Sequence, residues 1–292
     1  MCKCRRKPSL PCSNSTEPCG LQKHRFILPF PVHNHSQQSY AVRISLKNVH
    51  LSVEDKTILH DIDFHADEGE FIYLTGVVGA GKSSLLKIIY GEAVPSGQGE
   101  ARVLDFDLYR LKSRHLPLLR RQVGIVFQDF RLLTERTVYD NLDFVLRAIG
   151  WRKKAQRQAR IGELLTLVGM ESRADAWPHQ LSGGEQQRIC IARALAGNPK
   201  IILADEPTAN LDSENANFIM SLLRHEAERG ATVITVTHNN QLLLQFPGIV
   251  YTLHEGRLSD SSAEDPQLLT APADHEEEGK DNAPHADALT WE

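Results

Sequence analysis

The string Gly76-Val77-Val78-Gly79-Ala80-Gly81-Lys82-Ser83 is the part of this sequence best suited to chemistry. Glycines at 76, 79 and 81 let the backbone curl with its N–H groups turned inward, and a helix starting at Lys82 would aim its partial positive end at the same point. Together they make a nest for a di- or triphosphate. Lys82 adds a mobile charge for the outer oxygens, and the Ser83 hydroxyl is a hard oxygen ligand for Mg²⁺. A second feature is the acid pair Asp205-Glu206, directly after the apolar run Ile201-Ile202-Leu203-Ala204. At the carboxyl end of a buried strand, Asp205 can hold Mg²⁺ through its water shell and Glu206 can take a proton from, or orient, an attacking water. Gln128 and His238 are each expected to end another apolar strand, Val123–Gln128 and Val233–His238. That would bring an amide ligand for the metal and an imidazole for the terminal phosphate to the same edge.

A third string, Leu181-Ser182-Gly183-Gly184-Glu185-Gln186-Gln187-Arg188, reads as a helix start with Ser182 as N-cap and two glycines exposing backbone N–H groups. It is a second anion site on one chain. A single nucleotide cannot fill both cradles, so each is half of a site, and two copies of the chain would pair head to tail around it.

These residues need a scaffold that brings strand ends together. The hydrophobic pattern supplies one: alternating strands at Val42–Leu51 and Ile58–Phe64, a buried strand Phe71–Thr75, a helix from Lys82 to about Tyr90, and a strand near Gly124–Gln128. A helix-rich stretch follows from about Thr137 to Val168, then a helix near Ser182, a strand Ile201–Ala204, a helix over about 213–229 and a strand Thr232–Thr237. Strands alternating with helices predict an α/β domain with a parallel sheet covered on both faces, and the helical stretch reads as an insertion into it.

Composition narrows the function classes. The chain has 292 residues, is 41% hydrophobic and 24% charged, and carries a formal charge of −4, so no basic excess points to nucleic acid. That total hides a basic head (1–41, net +5) and an acidic tail (257–292, net −8) around a nearly neutral middle. Both ends read as unstructured, and regular patterning first appears near Val42. Cys2, Cys4, Cys12 and Cys19 in the head do not have the usual spacing of a zinc site. The basic cluster Arg147, Arg152, Lys153, Lys154, Arg157 and Arg160 reads as a solvated helix face. No run reaches the roughly 18 apolar residues of a membrane-spanning helix.

With these motifs in order, the chain resembles the ATP-binding-cassette (ABC) ATPases over roughly 42–256. The resemblance implies a P-loop NTPase fold: a RecA-like core, an antiparallel β subdomain, and an inserted α-helical subdomain at about 129–181. It implies ATP and Mg²⁺ as cofactors. Gly76, Val77, Val78, Gly79, Ala80, Gly81, Lys82, Ser83 and Ser84 would hold the nucleotide in one subunit, with Ser182, Gly183, Gly184, Gln186 and Asp212 closing on it from the other. Ser83, Gln128 and Asp205 would serve the metal, and Glu206, His238, Gln128 and Lys82 the hydrolysis.

Leu111 to Leu142, above all Phe127-Gln128-Asp129 with Thr137-Val138-Tyr139-Asp140-Asn141, is similar to the FtsE branch, whose ATPases pair with the membrane protein FtsX in cell division. This implies an FtsX-like transmembrane partner that takes up the work for cell-wall hydrolysis, a homodimer of nucleotide-binding domains, division-ring proteins as further contacts, and a cytoplasmic position on the inner face of the cell membrane. An ATPase of a lipoprotein-releasing or macrolide-type exporter would share the site, and a nucleotide-gated division scaffold would share the binding alone. Cassettes that act on DNA or ribosomes carry a coiled-coil insertion or a second cassette. Here 100 residues separate Lys82 from Ser182 with no heptad array, so no nucleic acid is expected. Two positions depart from the family pattern. Val53 stands where an aromatic usually stacks on adenine, which predicts weak base discrimination, and Val78 stands where serine is common, which a backbone cradle should tolerate.

Overall fold

The computed structural model describes residues 41–54, 56–209 and 211–260. The expected basic head up to residue 40, with its four cysteines, and the acidic tail beyond 260 lie outside the described residues. The described residues open with two antiparallel strands, β1 (Val42–Val53) and β2 (Lys56–Asp67), followed by β3 (Phe71–Thr75) and α1 (Lys82–Ile89). Then come β4 (Glu100–Val103), β5 (Phe106–Asp107), α2 (Leu116–Arg120) and β6 (Val123–Val126). Helices α3 (Val138–Ala148), α4 (Lys154–Leu167) and α5 (Gly183–Ala194) follow, and the described residues between β6 and β7 contain no strand. The remainder is β7 (Ile201–Asp205), α6 (Ser213–Glu228), β8 (Thr232–Val236), α7 (Asn240–Gln245), β9 (Ile249–His254) and β10 (Arg257–Asp260).

Two sheets result. One is antiparallel in the order β2-β1-β4-β5; the other runs β10-β9-β3-β8-β7-β6, all parallel except β10 at its edge. The parallel strands are apolar throughout because alternate residues feed opposite cores. Phe71, Tyr73, Ile202, Ala204 and Val233 pack with α3 to α6. Their neighbours Ile72, Leu74, Ile201, Leu203, Ile234 and Val236 pack with α1 and the antiparallel sheet. Gly124 on β6 lets α5 approach: a Cβ there would run into the Ala194 carbonyl.

Three sequence expectations need correction. Strand β6 stops at Val126 and β8 at Val236, so Gln128 and His238 stand in the loops two residues past their strands. The basic cluster is not simply a solvated face. Arg157 is buried, its Nε 2.6 Å from Asp143 Oδ1 while Nη1 donates to the carbonyls of Trp151 and Arg152. Arg160 donates to the carbonyls of Leu195 and Ala196 and to Asn198, so it ties α4 to the end of α5. Both long side chains find acceptors supplied by neighbouring segments, which a helical charge pattern does not reveal.

Candidate active site

Parallel pairing brings the functional loops to one edge. Leu74 and Asp205 both register against Val236, and Val126 registers against Ala204, so β3, β8, β7 and β6 release their chains side by side. After β3 the loop turns through left-handed glycines, φ 130° at Gly76, 82° at Gly79 and 105° at Gly81. Gly76 is obligatory twice over, since an added Cβ would also strike the Leu253 carbonyl. Val78, at the tip, is 89% exposed.

Helix α1 begins at Gly81 with no side-chain cap. Among the described residues, the N–H groups of Lys82, Ser83 and Ser84 have no backbone acceptor or side-chain partner. Lys82 lies back over its own loop, Nζ donating to the carbonyls of Gly76 at 2.7 Å and Val77 at 2.9 Å. Burial pushes its pKa below the ordinary lysine value, while the carboxylates of Glu206 and Asp205 pull it partway back, which places both acids in its field.

The acids leave β7 in a sharp bend. Asp205 ends the strand and Glu206 takes φ 50°, held by its N–H to the Val236 carbonyl at 3.1 Å. A left-handed glutamate is the kind of strain that surrounding structure must sustain, and it turns the side chain across to β8. There Glu206 Oε1 lies 3.0 Å from His238 Nε2. A recess of about 550 Å³ opens beside them, lined among others by Thr208, Ala209 and Gln241.

Uncapped N–H donors, a lysine and a serine hydroxyl fit a polyphosphate. Ser83, Gln128 and Asp205, expected from sequence to serve a metal, would each offer an oxygen donor to a hard cation. No group of three or more His, Cys, Asp or Glu side chains able to hold a metal occurs among the described residues. That donor set suits a cation such as Mg²⁺, which takes one or two carboxylates and completes its shell with phosphate and water.

The remaining residues form a second group that shares no hydrogen bond with the first among the described residues. Ser182 caps α5 in a reciprocal box: its Oγ accepts from the Glu185 N–H at 3.3 Å, and its own N–H donates to Glu185 Oε2 at 2.9 Å. Gln186 Nε2 donates to the Leu181 carbonyl, and Gly183 faces open space. Asp212 caps α6, accepting from the Asn215 N–H at 2.8 Å and from Asn215 Nδ2 at 2.7 Å.

Gln187 and Arg188 stand in the 181–188 string, but their partners, Asn215 among them, are not legible there. Arg188 donates to Asn215 Oδ1 at 2.8 and 3.2 Å, so α5 and α6 are joined through one amide. Gln187, buried, donates to the Pro207 carbonyl at 2.6 Å, just beyond the acid pair. A polar Gln-Gln-Arg run on a helix that packs in the core was the available signal.

A family model described as ABC transporter matches residues 59–209. The chain belongs to the ABC transporter family. Its ABC nucleotide-binding fold agrees with the expectation from the motifs, and it is an ATPase of that family. Similar proteins include the cell division ATP-binding protein FtsE of Streptococcus pneumoniae, 42% identical over 202 residues, which are 69% of this chain and 87% of that protein. FtsE of Mycobacterium tuberculosis is 44% identical over 68% of this chain and 86% of that protein, and FtsE of Escherichia coli 44% over 68% and 89%. Among solved ABC structures, the dimeric post-hydrolysis cassette MJ0796 bound to ADP and Pi is 34% identical, with TM-score 0.67, covering 74% of this chain and 98% of that one. The cassette cbiO1 of Clostridium perfringens, part of the transporter complex cbiONQ, is 28% identical with TM-score 0.67, covering 75% and 87%. No helix among the described residues is long and apolar enough to cross a membrane.

Proposed function

We propose that this chain is the ATPase subunit of an FtsEX-type complex in cell division, working as a head-to-tail homodimer on an FtsX-like transmembrane protein at the inner face of the cell membrane. The observation that carries the reading is the Glu206–His238 contact at 3.0 Å, standing in the field of Lys82 at the edge of the parallel sheet. The similarity to several FtsE proteins at 42–44% identity supports the division role. The cassette is assigned to 42–256, with a helical subdomain at about 129–181 that contains α3 and α4.

In this reading the loop from Gly76 to Ser84 binds the β- and γ-phosphates through its N–H groups, and Lys82 exchanges the carbonyls of Gly76 and Val77 for phosphate oxygens. Ser83, Gln128 and Asp205 would hold Mg²⁺, which offsets the charge of the transferring phosphoryl group. Glu206 accepts the proton of the attacking water, and His238 orients that carboxylate and reaches the γ-phosphate. Ser182 and the glycine N–H groups of a second copy close the other side, with Asp212 and Gln186 beside them. The two separate groups of residues in one chain support this division of labour, because neither completes a site alone.

A cavity of about 430 Å³ between β6, α2, α3 and α5, lined in part by Phe127, Arg121, Val145 and Arg193, is where the partner's cytoplasmic helix would seat. The test is Glu206→Gln. With ATP it should elute as a dimer from size exclusion, lose turnover, and still co-purify from membranes with a transmembrane protein. A variant that stays monomeric with ATP and turns over normally would overturn the assignment.

A further inference from the structure

Helix α5 presents Ser182 at one end, and its other end grips the segment that follows Gln128. Phe130 and Arg131 both have left-handed backbone, φ 57° and 50°. That conformation is disfavoured for side chains of this size, and two in succession persist only where the surroundings hold them. One guanidinium does so. Arg193 Nη2 donates to the Phe130 carbonyl at 2.7 Å and Nη1 to the Arg131 carbonyl at 2.5 Å. Cys190 Sγ, about one turn earlier on α5, also donates to the Phe130 carbonyl at 3.1 Å.

The side chain of Arg131 carries the constraint back toward Gln128. Its Nε lies 2.9 Å from Asp129 Oδ1, and its guanidinium carbon sits 4.2 Å from the centre of the Phe127 ring. The neighbours of Gln128 on either side are thus both tied to Arg131, whose backbone is tied to Arg193.

We propose that Arg193 is a positioning residue for Gln128: its planar fork captures two successive carbonyls and keeps a strained loop in the one shape that presents the amide to the site. A lysine offers a point charge in place of the fork, so it can replace only part of this. Arg193 and Phe127 also line the cavity assigned above to the partner, which puts the clamp between that surface and Gln128.

The inference rests on the reading of Gln128 as a hydrolysis residue, so Gln128→Ala is measured beside the clamp variants. Arg193→Ala loses both charge-assisted hydrogen bonds and should lower kcat by at least about tenfold, with the Kd for ATP unchanged. Arg193→Lys should fall between it and the parent. Hydrogen exchange over 127–133 should rise in Arg193→Ala while 182–188 stays as it was.

Parent-level turnover in Arg193→Ala, with Gln128→Ala slow, overturns the clamp alone. Parent-level turnover in Gln128→Ala overturns the underlying reading and the clamp with it. Should Arg193→Ala not fold, unchanged kcat and unchanged exchange over 127–133 in Arg193→Lys overturn the inference.

Discussion

The helical region carries a buried charge whose removal should be felt sharply. Asp143 and Arg157 are each more than nine-tenths buried, and their 2.6 Å contact is supplemented by Arg147, which reaches the other Asp143 oxygen but is itself 65% exposed. Arg157→Met strands the carboxylate with only that exposed partner and leaves the carbonyls of Trp151 and Arg152 without their donor. Breaking one side of a buried pair typically costs about 3–5 kcal/mol, and the surviving Arg147 contact places this case near the lower figure, about 3 kcal/mol. Replacing both partners, Asp143→Leu with Arg157→Met, should recover most of that loss, since no buried charge is left unpaired and only the donor to the Trp151 and Arg152 carbonyls stays missing.

Urea unfolding followed by tryptophan fluorescence suits the test, because Trp151 packs against the core this pair supports. The pH dependence has a defined sign. Burial pushes the Asp143 carboxyl up, but hydrogen bonds from Arg157 and Arg147 outweigh it and hold the carboxyl below the usual carboxylate range. Stability from a depressed carboxyl is fully present above its unfolded value of about 3.9 and is lost as pH falls through the folded value. The gap between parent and Arg157→Met should therefore be constant from neutral pH to about 5 and narrow below about 4. A loss under about 1 kcal/mol at pH 7, or a gap that widens with acid, would refute this account of the pair.

Other outcomes follow from the site itself. Lys82→Ala should remove most nucleotide affinity in calorimetry, since the anchor that leaves Gly76 and Val77 for phosphate is gone; full affinity would sink that role. Val53, 48% exposed at the end of β1, should bind ATP and GTP within tenfold of each other, and Val53→Phe should strengthen ATP binding by about 1–3 kcal/mol if it supplies the missing stack. Titration with both nucleotides decides it, and a tenfold ATP preference in the parent contradicts the first part. Asn215→Ala cuts the hydrogen bonds from Arg188 to α6 while leaving Arg188 over the Phe218 ring and the Asp212 backbone cap; ATP-driven dimerisation should weaken with monomer affinity unchanged, and unaltered dimerisation would count against α5 and α6 acting as one unit.

What could be read in advance was whatever chemistry dictates at short range. The glycines of the phosphate loop, the apolar runs of β3, β7 and β8, and Ser182 with its Glu185 three residues on each announce a local conformation. Strands β4, β5, β9 and β10 were not foreseen, because these short pieces gain their identity from pairing, β4 with β1, β5 with β4, β9 with β3 and β10 with β9. The left-handed backbones of Glu206, Phe130 and Arg131 were equally hidden, since nothing in those side chains favours φ near 50° and only distant carbonyls and guanidiniums hold them there. Arg157 and Arg193 share that reason: their acceptors lie on other segments, so the sequence shows a charge and not its destination.

Lys82 resting on its own loop has an electrical consequence. One ammonium has the two carboxylates of Asp205 and Glu206 in its field, so the acids offset its positive charge before anything binds. An incoming polyphosphate should therefore gain little from long-range attraction to Lys82, and the N–H groups of α1 should act on it only at contact. A metal-free nucleotide should associate more slowly than one carrying its cation, and added salt should speed that encounter instead of slowing it.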